Sequence, residues 1–129
     1  MQGNICVIAG SDSGGGAGIQ TDIKTITALG GYASTVVTAL TAQNTLGVQA
    51  IHDIPAAFVA RQMTAVLSDI GADVIKIGML HRETVIEAVA EALAFHAPDI
   101  PLIIDPVMVA KGGAPLLEQD AINTLQHVL

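Results

Sequence analysis

Apolar residues in this chain fall in short runs separated by glycine, proline or polar segments. Continuous apolar stretches occur at about 4–9, 33–39, 73–78 and 101–105. The last three are rich in β-branched residues, the composition of strands buried on both faces. A short alternating stretch, Val48–Ile54, predicts a further strand. Between these runs the apolar spacing becomes helical, near 18–29, 55–69, 82–96 and 116–129. Ile19, Ile23, Ile26 and Leu29 carry the first pattern. The second opens at Pro55, a favourable first-turn position, and repeats through Phe58, Val59, Met63, Val66, Leu67 and Ile70. Val85, Ile86, Val89 and Leu93 form one side of the third. Strands alternating with helices predict an α/β domain with a largely parallel sheet. No repeat, low-complexity tract or linker divides residues 1–129, which read as part of a single domain.

The last helical pattern, with Leu117, Ala121, Ile122, Leu125 and Leu129, is followed by no return strand. In a parallel sheet such a helix normally carries the chain back to another strand. Charged residues make up only 13% of the chain, too few to solvate both faces of an open sheet. The expectation is a domain incomplete at its C-terminus, or one completed by a partner.

Composition narrows the function classes. No apolar run approaches the roughly 20 residues of a membrane span, and no charged segment followed by an apolar stretch opens the sequence, so secretion is not expected. The single cysteine, Cys6, lies in the first strand and cannot form an internal disulfide, so a cytoplasmic location is expected. A net charge of −7 argues against nucleic-acid binding, which needs a basic footprint. Tyr32, Phe58 and Phe95 are the only aromatics, which also leaves no base-stacking platform. A chain this acidic can hold a polyphosphate only through backbone N–H groups, a few placed lysines and a divalent metal.

The densest chemical signal is Gly10-Ser-Asp-Ser-Gly-Gly-Gly-Ala-Gly18, five glycines in nine residues between a strand and a helix. Such a turn brings backbone close to a phosphate or a small polar ligand. It is not a P-loop, because Gly16 stands where the motif needs lysine. It is not a dinucleotide fingerprint either, because GxGxxG begun at Gly14 would need glycine at Ile19. Three other segments follow strands: Thr41–Thr45, Gly78–Leu80 and Asp105–Met108. In an open parallel sheet all four should gather outside the carboxyl ends of the strands.

Within them, Asp22 either complements the helix dipole from the first turn or faces the crevice and accepts from a polar substrate. Gln43 offers a donor beside an acceptor, which suits a heterocycle with an amino group next to a ring nitrogen. Asn44 suits turn capping. Asp105, before Pro106, either forms an Asx turn or serves a metal or a phosphoryl acceptor. Lys111, beside Gly112-Gly113, is either a surface lysine or a cation for phosphate. Met79 and Met108 suit a pocket wall or the core. None of the four histidines has metal-ligand spacing.

These residues together resemble the N-terminal half of the bacterial hydroxymethylpyrimidine/phosphomethylpyrimidine kinases, thiamine-biosynthesis enzymes of the ribokinase-like superfamily. The resemblance is carried by Ala9–Asp22 with Lys24-Thr25, Thr38–Thr45 with Gly47-Val48, Lys76-Ile-Gly-Met-Leu80, and Asp105–Gly113. It implies a ribokinase-like fold and phosphorylation of 4-amino-5-hydroxymethyl-2-methylpyrimidine and its monophosphate, with ATP as donor and Mg2+ as the ion. It places pyrimidine contacts at Gly10, Ala17, Asp22, Gln43, Met79 and Val107. It further places Asp105 at the catalytic phosphate and metal end, and Lys111 beside the nucleotide. A homodimer is the expected assembly. Because the family's anion hole, catalytic cysteine and most of its ATP site belong to the half absent here, the 129-residue chain alone is expected to be inactive. Pyridoxal kinase, of the same superfamily, is the enzyme alternative, and a non-catalytic pyrimidine-binding domain is the alternative from another class.

Overall fold

The computed structural model describes residues 3–105. The elements run β1 (Asn4–Asp12), α1 (Gly18–Ala28), β2 (Tyr32–Asn44), β3 (Gly47–Asp53), α2 (Ala56–Ala65), β4 (Val74–Ile77), α3 (Glu83–His96) and β5 (Leu102–Ile104). A π-helical turn over Val66–Ile70 continues α2. The five strands form one sheet in the order β3-β2-β1-β4-β5. Every pairing is parallel except β2 with β3. The expected helix at 116–129, with Met108, Val107 and Lys111, lies outside the described residues.

The core follows from strand alternation. Cys6 and Ile8 of β1, Val36 of β2, and Ile75 and Ile77 of β4 are fully buried on one face. Val59 and Met63 of α2 and Val85, Ile86, Val89 and Leu93 of α3 cover them. The α3 set is the one that the sequence periodicity selects. Burial pushes the Cys6 thiol above its ordinary value, partly offset by the neighbouring Ser34 hydroxyl. On the opposite face α1 packs beside β1 and β2 without burying any residue completely.

The structure corrects three local expectations. Thr41–Asn44 are the end of β2, not a loop after it, because the alternating stretch returns as β3 and pairs them antiparallel from Ala39↔Asp53 to Asn44↔Gly47. The turn between the two strands is capped by Asn44, whose Oδ1 accepts the Leu46 N–H at 2.9 Å. β1 runs on past Ala9 to Asp12, following β2 through a bulge between Ala9 and Ser11. β5 is exposed at all three positions, in contrast to a strand buried on both faces, because it pairs only with β4 among the described residues.

One edge of β2 needs a partner before β3 reaches it. The Gln62 amide of α2 supplies it, accepting the Val37 N–H and donating to the Val37 carbonyl, both at 2.9 Å. A side-chain amide here completes a strand ladder. At the far end of β3, Asp53 accepts from Arg82 at 2.6 Å and lies 3.5 Å from His81. This ties the antiparallel hairpin to the loop after β4.

Candidate active site

The parallel strands deliver their carboxyl ends to one edge, and a cavity of about 470 Å³ opens there. That volume suits a small organic ligand. Its lining draws on the glycine loop, the end of β2, the loop after β4 and Asp105 after β5, so three of the expected segments converge with the one described residue of the fourth. Of the residues expected to contact a ligand, Gly10, Ala17, Asp22, Gln43, Met79 and Asp105 all line this cavity. Val107 and Lys111 lie outside the described residues.

The loop is built around Asp12, a residue that the sequence pattern did not single out. Its buried carboxylate accepts the Gly14 N–H at 2.8 Å and the Gly16 N–H at 3.0 Å. Its own carbonyl accepts the Gly15 N–H at 3.0 Å. Three successive amides of the kind that cradle a phosphate are therefore engaged by the chain's own aspartate. Around this centre, the Asp12 N–H donates to Gln20 at 2.8 Å, and the Gln20 amide donates to Ser11 Oγ at 2.7 Å. Lys24 closes the outside by donating to the Gly15 carbonyl at 2.7 Å. The loop is a rigid wall. An aspartate two residues ahead of glycine is an Asx-turn signal, and it was the available clue.

Gln43 is held from both sides. The Ser13 hydroxyl donates to the Gln43 carbonyl at 2.9 Å and accepts its N–H at 2.7 Å, pinning the loop to β2. Thr41 Oγ1 lies 2.9 Å from both the Ser11 carbonyl and Gln43 Oε1. A hydroxyl has one proton for these two contacts. It therefore donates to Oε1, or it donates to Ser11 and accepts from the amide nitrogen. In both arrangements Thr41 holds one atom of the Gln43 amide, and Gln43 lines the cavity.

Asp22 sits in the second turn of α1, not the first, so it does not serve the helix dipole. It faces the cavity and pairs with Lys76 of β4, Nζ to Oδ2 at 2.8 Å, with the two side chains 23% and 21% exposed. Met79 is nearly buried and packs against Ala39, Val48 and Ile51 while also forming cavity wall. Its carbonyl accepts the buried Thr38 hydroxyl at 2.5 Å, which locks the loop after β4 to the bulge in β2. The Asp105 N–H continues the ladder to the Ile77 carbonyl at 2.9 Å, and Asp105 is among the residues that line the cavity. No group of three or more metal-ligating side chains occurs among the described residues.

The phosphomethylpyrimidine kinase family matches this sequence over residues 12–129. The chain belongs to that family. A hydroxymethylpyrimidine/phosphomethylpyrimidine kinase of Mycobacterium leprae is 52% identical over 122 residues, covering 95% of this chain and 44% of that protein. The crystal structure of phosphomethylpyrimidine kinase from Clostridium difficile superposes with a TM-score of 0.85 at 44% identity, over 95% of this chain and 52% of that one. The pyridoxal kinase of Staphylococcus aureus in complex with pyridoxal follows at a TM-score of 0.81 and 30% identity, over 98% and 45%. The chain thus spans about half the length of the kinases it matches. The fold is the ribokinase-like one expected, with a mostly parallel sheet flanked by helices. No helix among the described residues is long and apolar enough to cross a membrane.

Proposed function

We propose that this chain forms the acceptor side of a thiamine-biosynthesis kinase. That kinase phosphorylates 4-amino-5-hydroxymethyl-2-methylpyrimidine, and then its monophosphate, with ATP. One observation carries the proposal: Gln43, whose amide Thr41 holds, and Asp22 line the same small cavity. An amide edge can donate to a ring nitrogen and accept from the adjacent amino group. A carboxylate can accept from the hydroxymethyl O–H. Gly10, Ala17 and Met79 supply the close apolar walls between them.

In the first reaction the hydroxymethyl oxygen attacks the γ-phosphorus of ATP. The new P–O bond forms as the bond to the β–γ bridging oxygen breaks, ADP leaves and the hydroxyl proton is released. In the second, an oxygen of the monophosphate attacks a second ATP in the same way. Such reactions depend on positioning and charge neutralisation. Mg2+ would neutralise phosphate charge. It commonly takes only one or two protein carboxylates besides phosphates and water, and Asp105 in the cavity lining fits that share. Val107 and Lys111 are part of the same proposal, at the pyrimidine and nucleotide ends respectively. So are the expected homodimer and cytoplasmic location.

Gln43→Leu tests the pyrimidine contact, since it keeps bulk and removes both hydrogen-bonding groups. Titration calorimetry should show affinity for the hydroxymethylpyrimidine falling about 10- to 100-fold. An unchanged affinity would remove Gln43 from the site.

A further inference from the structure

Lys76 is the one cation among the described residues that line the cavity, where it shares the wall with Asp12, Asp22 and Asp105. Its neighbours in β4, Ile75 and Ile77, are fully buried on the α2–α3 side, so strand alternation sends Lys76 to the opposite face. There its ammonium reaches Asp22 on α1 at 2.8 Å. Gly78, two residues on and on the same face, keeps the path open. A Cβ at that position would stand 3.3 Å from Lys76 Nζ and 3.0 Å from the Ala9 Cβ.

The charge on this wall is uneven in a telling way. Asp12 is already satisfied by the loop amides, whereas Asp22 has Lys76. An ammonium has three N–H donors, and the described contacts use one of them, on Asp22. An alcohol is neutral and needs only the Asp22 carboxylate. A phosphomonoester brings a charge of about −1.5 to −2 at neutral pH, and a wall of three carboxylates repels it unless a cation intervenes.

We infer that Lys76 is the specificity-determining residue for the second acceptor, binding the phosphate of the monoester, whereas the neutral alcohol binds mainly through other groups. This rests on the pyrimidine kinase reading above. Its remaining N–H groups meet the phosphate oxygens while the ion pair to Asp22 holds the ammonium in place. The attacking oxygen of the monoester is already ionised. That step therefore asks the protein for charge neutralisation and no base, and ATP again gives up its γ-phosphoryl group as ADP leaves.

The test uses a full-length kinase whose N-terminal half is this chain, with Lys76→Gln and Lys76→Arg variants whose thermal unfolding is checked first. Titration with the hydroxymethylpyrimidine and with its monophosphate gives two affinities for each protein. Lys76→Gln should weaken the monophosphate about 10- to 100-fold and the alcohol by a clearly smaller factor. Lys76→Arg should recover most of the loss. Rising ionic strength should weaken monophosphate binding in the parent protein and much less in Lys76→Gln. Equal losses for both ligands, no loss for either, or an unaltered salt dependence would overturn the inference while leaving the pyrimidine reading intact. A parent protein that takes neither ligand would instead overturn that reading, and this inference with it.

Discussion

Replacing Gly18 by alanine is expected to lower unfolding stability by about 2 to 4 kcal/mol and to deform the site. Gly18 opens α1 with a φ of 61°, a left-handed conformation that costs an L-residue about 1 to 2 kcal/mol. The steric problem adds to this, because a Cβ at Gly18 would lie 2.4 Å from the Gly10 carbonyl oxygen. That contact is with backbone, so it cannot be relieved by a rotamer change. The chain returns here beside Ser11, and pushing it away moves the start of α1 and with it Asp22. Urea unfolding should therefore show a lower midpoint with an unchanged slope. A midpoint like that of the parent would mean that the loop does not hold this close approach.

Asp12→Ala should release the loop itself. Two charge-assisted hydrogen bonds to the Gly14 and Gly16 amides are lost together, for a cost of about 2 to 4 kcal/mol. Hydrogen exchange gives the most specific readout: the Gly14 and Gly16 amides should be protected in the parent and exchange at the rate of an open loop in the variant. Asp12→Asn keeps an acceptor oxygen and should retain part of the protection. Equal exchange in parent and Asp12→Ala would show that the carboxylate does not organise the loop.

Much of this arrangement was legible in the sequence because two periods govern it. The α3 face of Val85, Ile86, Val89 and Leu93 is a clean helical stripe against a sheet, and all four are buried as the spacing requires. The α1 stripe of Ile19, Ile23, Ile26 and Leu29 was equally regular, yet none of it is fully buried. Periodicity shows which face is apolar and says nothing of how completely a neighbour covers it. The end of β2 reads as a loop in the sequence because Thr41, Gln43 and Asn44 are polar. Their pairing comes from β3, a non-local partner invisible to local pattern.

The site divides along the same line. Topology alone predicts the gathering of three segments and Asp105 at one edge, and the family motifs point to Gly10, Ala17, Asp22, Gln43, Met79 and Asp105 within it. The residues that fix those groups were not singled out: Asp12 inside the loop, Ser13 and Thr41 around Gln43, and Lys76 against Asp22. Ser13 and Lys76 act on partners 30 and 54 residues away, relations that leave no mark in local composition. Asp12 and Thr41 act within four residues, where the Asx-turn spacing of Asp12 and Gly14 is the one local signal. The glycine loop illustrates the difference. Its glycine density suggests an open phosphate cradle, whereas the Gly14, Gly15 and Gly16 amides are turned inward on Asp12 and the loop forms one wall of the cavity.

The central claim is that this wall selects an aminopyrimidine alcohol. Turnover by a full-length kinase whose N-terminal half is this chain, compared on 4-amino-5-hydroxymethyl-2-methylpyrimidine and on pyridoxal, tests it most directly. The pyrimidine should have the higher kcat/KM, by about 100-fold or more, because pyridoxal lacks the amino group that would pair with the Gln43 amide. Equal or faster phosphorylation of pyridoxal would contradict the claim.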